Sequence, residues 1–177
     1  MSTTTWNLDN AHSEIMFKVK HMMITNVTGR FTEFGANVTS ESEDFTKANI
    51  TFTIKAASVN TGSDQRDGHL RSPEFFEADK FADVTFKSTK VEKVDNENYK
   101  LTGDLTIKNV TKSISLNAEN GGVGKDPWGN IKTGFTVTGK INRKDFGLNW
   151  NAALETGGVM VSEDVRIACE VQFIKAV

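Results

Sequence analysis

The chain has 177 residues, 37% of them hydrophobic and 25% charged, and a net charge of −2, which together fit one globular domain spanning residues 1–177 around a single core. Lys and Arg alternate with Asp and Glu along the chain, so there is no basic field of the kind that holds nucleic acid. No run approaches the roughly 18 apolar residues of a membrane-spanning helix, and the lone Cys169 cannot form an internal disulfide.

Met1 to Ile15 contains no basic stretch followed by an apolar one, so no secretory signal is expected and cytoplasm is the expected compartment. The Asn-x-Ser/Thr triplets at Asn26, Asn37, Asn49 and Asn109 then read as strand Thr beside turn Asn rather than as glycosylation sites. The first strand signal is Ile15, Phe17 and Val19 alternating with Met16, Lys18 and Lys20, and it ends at His21. A second has Ile50, Phe52 and Ile54 alternating with Thr51, Thr53 and Lys55.

Thr61 to Phe76 breaks this period. Asp64 is placed to cap a short helix through Arg66, Asp67 and His69, weakened by Gly68. Ser72-Pro73-Glu74 predicts a second helical turn, with Ser at the N-cap and Pro at the first helical position. A short helical insertion near residues 63–80 would thus carry Phe75 and Phe76 back toward whatever the strands enclose, as a lid or rim.

Period-two alternation returns at Val84 and Phe86, at Leu101 through Leu105 to Ile107, and at Ile114 and Leu116. It continues at Phe135 and Val137 through Gly139 to Ile141, and closes with Val165, Ile167, Cys169, Val171 and Phe173. Turn clusters at Asp95 to Asn98 and Asn109 to Thr111 make neighbouring strands antiparallel hairpins. The longest connections are Thr61 to Asp83, Asn120 to Lys132 and Arg143 to Asp164, and if they gather at one end they rim an opening. No long amphipathic helix is available to cover a sheet face, so the apolar faces meet each other in a sandwich or a closed barrel. About eight strands is the size at which a barrel either fills with side chains or holds one small ligand.

Parity points Phe17, Val19, Phe52, Ile54, Phe86, Leu105, Ile107, Phe135, Val137, Ile167 and Cys169 inward. A filled core and an open lumen give the same parity. Twelve Phe against one Tyr leaves the aromatic content mostly without a polar handle, as a lipid tunnel requires.

No catalytic set emerges. His12, His21 and His69 lack metal-ligand spacing and have no Cys or carboxylate cluster beside them. Gly121 to Asp126 resembles a phosphate loop only superficially, with Glu119 at the first required Gly position and Asp126 at the Ser/Thr position. Cys169, between Ile167 and Val171 on one face, reads as a small buried hydrophobe. No metal or catalytic cofactor is expected.

Trp6, Ser13 to Phe17 and His21, Gly29-Arg30-Phe31 with Phe34, Arg66-Asp67, His69 to Ser72, Phe75-Phe76, Val84 to Phe86, Gly103 to Ile107, Asn142-Arg143 and Asp145 to Gly147 follow in an order and spacing that resembles the YceI family of lipocalin-like, polyisoprenoid-binding proteins. The resemblance implies an all-β, roughly eight-stranded, extended antiparallel barrel whose lumen takes a long isoprenoid or similar lipid, such as an isoprenoid quinone, a polyprenyl phosphate or a fatty amide, without catalysis. Its candidate lumen set is the inward list above with Phe75 and Phe76. The headgroup candidates at the mouth are His21, Arg66, His69, Arg71 and Arg143, whose cations suit phosphate or carbonyl recognition unless Asp64, Asp67, Asp79 or Asp145 pair them. Asn109, where relatives tend to have Gly, is expected to hold the tight turn through positive φ. A homodimer is compatible with this reading. The alternative is an enzyme acting on such a lipid with His21 as acid or base.

Overall fold

The computed structural model describes residues 3–22, 24–42, 44–151 and 161–176. Its strands are β1 (Thr3–Leu8), β2 (Glu14–His21), β3 (Thr25–Phe31), β4 (Phe34–Glu41), β5 (Asp44–Lys55), β6 (Val59–Asn60), β7 (Asp83–Lys93), β8 (Asn98–Ile107), β9 (Val110–Lys125), β10 (Ile131–Asn142) and β11 (Val161–Lys175), with one helix, α1 (Asp64–Arg71). Every pairing is antiparallel, and the ring β1-β4-β5-β7-β8-β9-β10-β11 closes through β1 on β11. This is an eight-strand closed barrel.

The extra strand segments come from bends. β1 and β2 lie on the same edge of β11, one beyond the other, separated by the turn Asn10–His12. β3 and β4 answer them across Thr32 and Glu33, and β5 and β6 flank the turn Ala56–Ser58. Each pair is thus one long strand broken by a kink, and the eight long strands follow each other in chain order. Closure leaves few unpaired edges, which blunts the tendency of a long sheet to aggregate. The exception is at the upper end, where β3 holds β6 by two residue pairs and β6 has no partner on its other side among the described residues. α1 and the turns that follow it occupy the interval between β6 and β7.

The insertion departs from expectation in two ways. Ser63, not Asp64, caps α1, its Oγ accepting from Arg66 N–H, and Asp64 is the first helical residue. Asp64 and Asp67 sit in the first turn and His69 and Arg71 in the last, a charge order that complements the helix dipole. Beyond Ser72 there is no second helix. Instead the chain closes successive turns, with Phe76 N–H donating to Leu70 O, Glu77 N–H to Ser72 O and Ala78 N–H to Arg71 O. These bonds fold Phe75 back under α1.

The three long connections do not gather. Thr61 to Asp83 and the described parts of Arg143 to Asp164, residues 143–151 and 161–164, share the upper end, with residues 152–160 outside the described set, whereas Asn120 to Lys132 is largely the extended lower end of the β9–β10 hairpin, paired through Ile131↔Lys125. Asp126 closes that hairpin by accepting from Trp128 N–H and Asn130 N–H. At the β8–β9 turn the positive φ falls on Lys108 (61°) rather than on Asn109.

The lower end is closed by aromatics around a small hollow. Trp6 is 1% exposed and donates its indole N–H to Ser40 Oγ at 3.0 Å. Phe45 lies 5.5 Å from Trp6 and 5.1 Å from Phe135, ring centre to centre, and Phe173 stacks edge-on to both Phe135 and Phe52. The interior therefore has a closed bottom.

Candidate functional site

Above that plug the barrel encloses a cavity of about 330 Å³. Of the residues expected to line a lumen, all except Phe135 do: Phe17, Val19, Phe52, Ile54, Phe75, Phe76, Phe86, Leu105, Ile107, Val137, Ile167 and Cys169. Phe135 has the right parity but the wrong height. It pairs with Val171, one inward step below the Val137–Cys169 level, and faces a separate hollow of about 50 Å³. Burial does not separate wall from filling any better than parity: Phe17, Phe52 and Ile54 border the cavity and are partly buried, Phe86, Leu105 and Ile107 border it and are buried, and Phe135 below it is partly buried too.

Two glycines make this void. Gly29 pairs with Phe17, and Phe17 lies flat over it; Gly103 is covered in the same way by Phe86. A Cβ at either position would meet the ring, so the missing side chain lets each Phe lie against the wall instead of across the lumen.

Polar lining is confined to one end. Lys20 and His21 lie at the top of β2, Thr61, Arg66 and His69 on the insertion, and Arg143 after β10, and every other lining residue is apolar. Of the expected headgroup candidates His21, Arg66, His69 and Arg143 thus border the cavity, and Arg71 does not, being exposed at the outer end of α1.

The cations are engaged, but not by the carboxylates the sequence offered. Arg66 donates from Nε to Thr61 Oγ1 at 2.7 Å and from Nη2 to Thr61 O at 2.8 Å. Thr61 in turn gives its N–H and its hydroxyl to the buried Asp67. Arg143 is 2% exposed, and its guanidinium donates to four carbonyls, those of Leu148, Trp150, Val161 and Ser162. Burial lowers its pKa from the ordinary arginine value, with Glu163 acting in the opposite sense. Arg143 is therefore a clamp on the two ends of its loop, with most of its donors already used. His69 bonds through Nε2 to Glu74 and sets its ring edge-on to Trp150 at 4.7 Å and to Phe75 at 5.1 Å. The ring of His21, half-buried at the rim, makes no hydrogen bond among the described residues.

A model of the YceI-like domain matches residues 6–173. The chain belongs to the YceI-like family. It is 43% identical over 171 residues to a UPF0312 protein of Staphylococcus aureus (strain bovine RF122 / ET3-1), covering 96% of this chain and 97% of that one. The crystal structure of the Campylobacter jejuni YCEI protein is 40% identical, with a TM-score of 0.78 over 89% of this chain and 90% of that one. A polyisoprenoid binding domain from Saccharophagus degradans, implicated in plant cell wall breakdown, shares the fold at 18% identity, with a TM-score of 0.71 over 97% of this chain and 98% of that one.

In this YceI-like barrel several lining residues escape the sequence reading. Trp150 and Leu148 from a loop and Leu70 from α1 close the upper cavity. They lie where no strand period runs, and only Trp150, a large apolar side chain in a polar stretch, carries a signal. Phe31 and Val165 do lie on strand parity and border the cavity as well. Cys169 is buried, its thiol pushed up to about 11 chiefly by desolvation, which keeps it protonated and unreactive at neutral pH. Among the described residues no cluster of three or more His, Cys, Asp or Glu is placed to hold a metal ion, and His12 pairs instead with Asp9. Nor is any described helix long and apolar enough to cross a membrane.

Proposed function

We propose that this protein is a non-enzymatic binder of a long-chain isoprenoid or similar amphiphilic lipid, an isoprenoid quinone, a polyprenyl phosphate or a fatty amide, which it stores or carries in the barrel. The observation that carries this reading is the polarity of the cavity wall: apolar from Phe17 to Val171, with Lys20, His21, Arg66 and His69 only at the mouth. An amphiphile gains about 0.8 kcal/mol for each CH₂ it takes out of water, and loses if its polar end follows without a partner. The tail therefore belongs in the barrel and the head at the rim. The polyisoprenoid binding domain with the same fold supports the tail's chemistry.

Arg143 drops out as a headgroup residue, since its donors are spent on carbonyls. His21, with a ring free of partners among the described residues, and Arg66 are the better candidates, His21 for a carbonyl and Arg66 for a phosphate. As an acid or base His21 would stand alone, and binding is the reading that the apolar wall supports.

Native mass spectrometry of protein purified from its own source, followed by organic extraction, tests this. The expected result is a mass increment that disappears on extraction and is recovered as a prenyl or long acyl chain. Protein that is empty, and that takes up neither added polyprenyl alcohol nor polyprenyl phosphate, would overturn the proposal.

A further inference from the structure

We propose that the β2–β3 hairpin is a docking tip that seats the barrel mouth on an anionic lipid bilayer. The hairpin turns at the upper end, where Ile24 N–H donates to His21 O, and it presents Ile24 at 78% and Met22 at 39% exposure. Directly beneath, Val19, His21 and Val27 of the same hairpin line the cavity. An exposed apolar tip thus stands at the lip of an apolar chamber.

The hairpin's outer face supplies the charge. Lys18 and Lys20 on β2, Arg30 on β3 and Arg166, paired with Lys18 across β11, are all exposed on one surface. None of the four makes an ion pair among the described residues. The acids closest along β11, Glu163 and Asp164, are taken by Lys144 and Lys140. Between Glu14 and Glu33 the sequence has no acid at all, in a chain whose net charge is −2. Unpaired cations beside an apolar tip complement a surface that is negative outside and hydrocarbon within, which is the chemistry of an anionic bilayer. Each half alone binds weakly; together they give reversible docking, with the mouth facing the lipid.

Trp128, 83% exposed on the β9–β10 hairpin, is the competing apolar site. It lies at the opposite end, away from the cavity, beside the turn closed by Asp126.

The inference rests on the lipid-cargo reading only for its purpose, and its test stands apart from it. Full-length protein is sedimented with vesicles of phosphatidylcholine alone or mixed with phosphatidylglycerol, at low and high salt. Binding is expected to the mixed vesicles, weakened by salt and absent with phosphatidylcholine alone. Met22→Asn with Ile24→Glu keeps a residue that tolerates the left-handed backbone at position 22 (φ 55°) and should lower binding at least about ten-fold. Lys18→Gln, Lys20→Gln and Arg166→Gln together should lower it on the order of a hundred-fold, at roughly five-fold per cation near an anionic surface. Trp128→Ala should change nothing. Equal binding to both vesicle types, indifference to the tip and cation variants, or loss on Trp128→Ala would overturn the proposal. So would a tip that serves only to hold two copies together, seen as a dimer dissolved by the tip variant with no vesicle binding by the parent. Native mass spectra of the same samples separate the two readings: docking by protein that is empty and takes up neither added polyprenyl alcohol nor polyprenyl phosphate sinks the cargo reading alone, and loaded protein that ignores vesicles sinks the docking alone.

Discussion

Phe17 and Gly29 show how a single missing methyl shapes the lumen. A Cβ at position 29 would meet only the far end of the Phe17 ring, which has open cavity to swing into. Gly29→Ala should therefore cost little stability, under about 1 kcal/mol, while pushing the ring across the lumen and weakening lipid binding. Gly103 looks equivalent by sequence but is not. Its added Cβ would meet Phe86 and also lie 2.5 Å from the carbonyl oxygen of Lys87, a backbone atom that cannot rotate away. Gly103→Ala should then cost about 1–3 kcal/mol, as overpacking does. Denaturant unfolding and lipid titration on the two variants check this, and equal destabilisation by both would refute it. At this scale the sequence was legible in parity and mute in height. Alternation turned Phe52, Phe86 and Val137 inward correctly, but nothing in a period of two says that Phe135 lies below the chamber. Nor could composition reveal that Arg143 would be spent on carbonyls, because two of them, of Leu148 and Trp150, lie in a stretch with no pattern of its own and two, of Val161 and Ser162, at the start of β11.

The insertion is the element whose stability and function are most closely tied. α1 has eight residues, too short to be stable alone, and it is held at its start by Ser63 on Arg66 N–H and by Asp67 on the N–H and hydroxyl of Thr61. Asp67 is buried, so removing it strands both Thr61 donors and frees the residue to which Arg66 is bonded. Asp67→Ala should cost about 1–3 kcal/mol, but locally: the insertion should lose hydrogen-exchange protection while the barrel strands keep theirs. Since Leu70, Phe75 and Phe76 roof the cavity from this segment, bound lipid should also escape faster. Asp67→Asn, which retains an acceptor, should lie between the two. Uniform loss of protection over the whole barrel would mean that the insertion is part of the core and not a roof on it. The sequence announced the insertion by breaking period two and placed its helix well, yet misassigned the cap and predicted a second helical turn from Ser72 that does not form. Ser63 and Asp64 are both good caps, and only the tertiary bonds of Thr61 and Asp67 choose between them.

Across the whole molecule the barrel is one sheet around two unequal spaces, and the floor between them sets how long a tail can be. Phe52, Leu101, Val137 and Val171 border both the main cavity and the smaller hollow below, so they are the floor. Of these Phe52 has the largest side chain, and it is only partly buried, with its ring edge-on to Phe173 at a centroid distance of 6.4 Å. Phe52→Ala should open the floor and join the two spaces, at a cost below the about 3–5 kcal/mol of a fully buried Phe truncation because one side of the ring already faces a void. Affinity should then rise with prenyl chain length beyond the point where the parent protein levels off, each added buried CH₂ contributing about 0.8 kcal/mol until the aromatic plug of Trp6, Phe45 and Phe173 is reached. Phe52→Trp should do the reverse and favour short chains. Phe135→Trp, which crowds only the lower hollow, should leave short-chain binding at the parent's level and bear only on a barrel whose floor has been opened. A series of prenyl alcohols titrated against the three variants gives the answer, and chain-length profiles identical to the parent's in all of them would show that the tail never reaches Phe52.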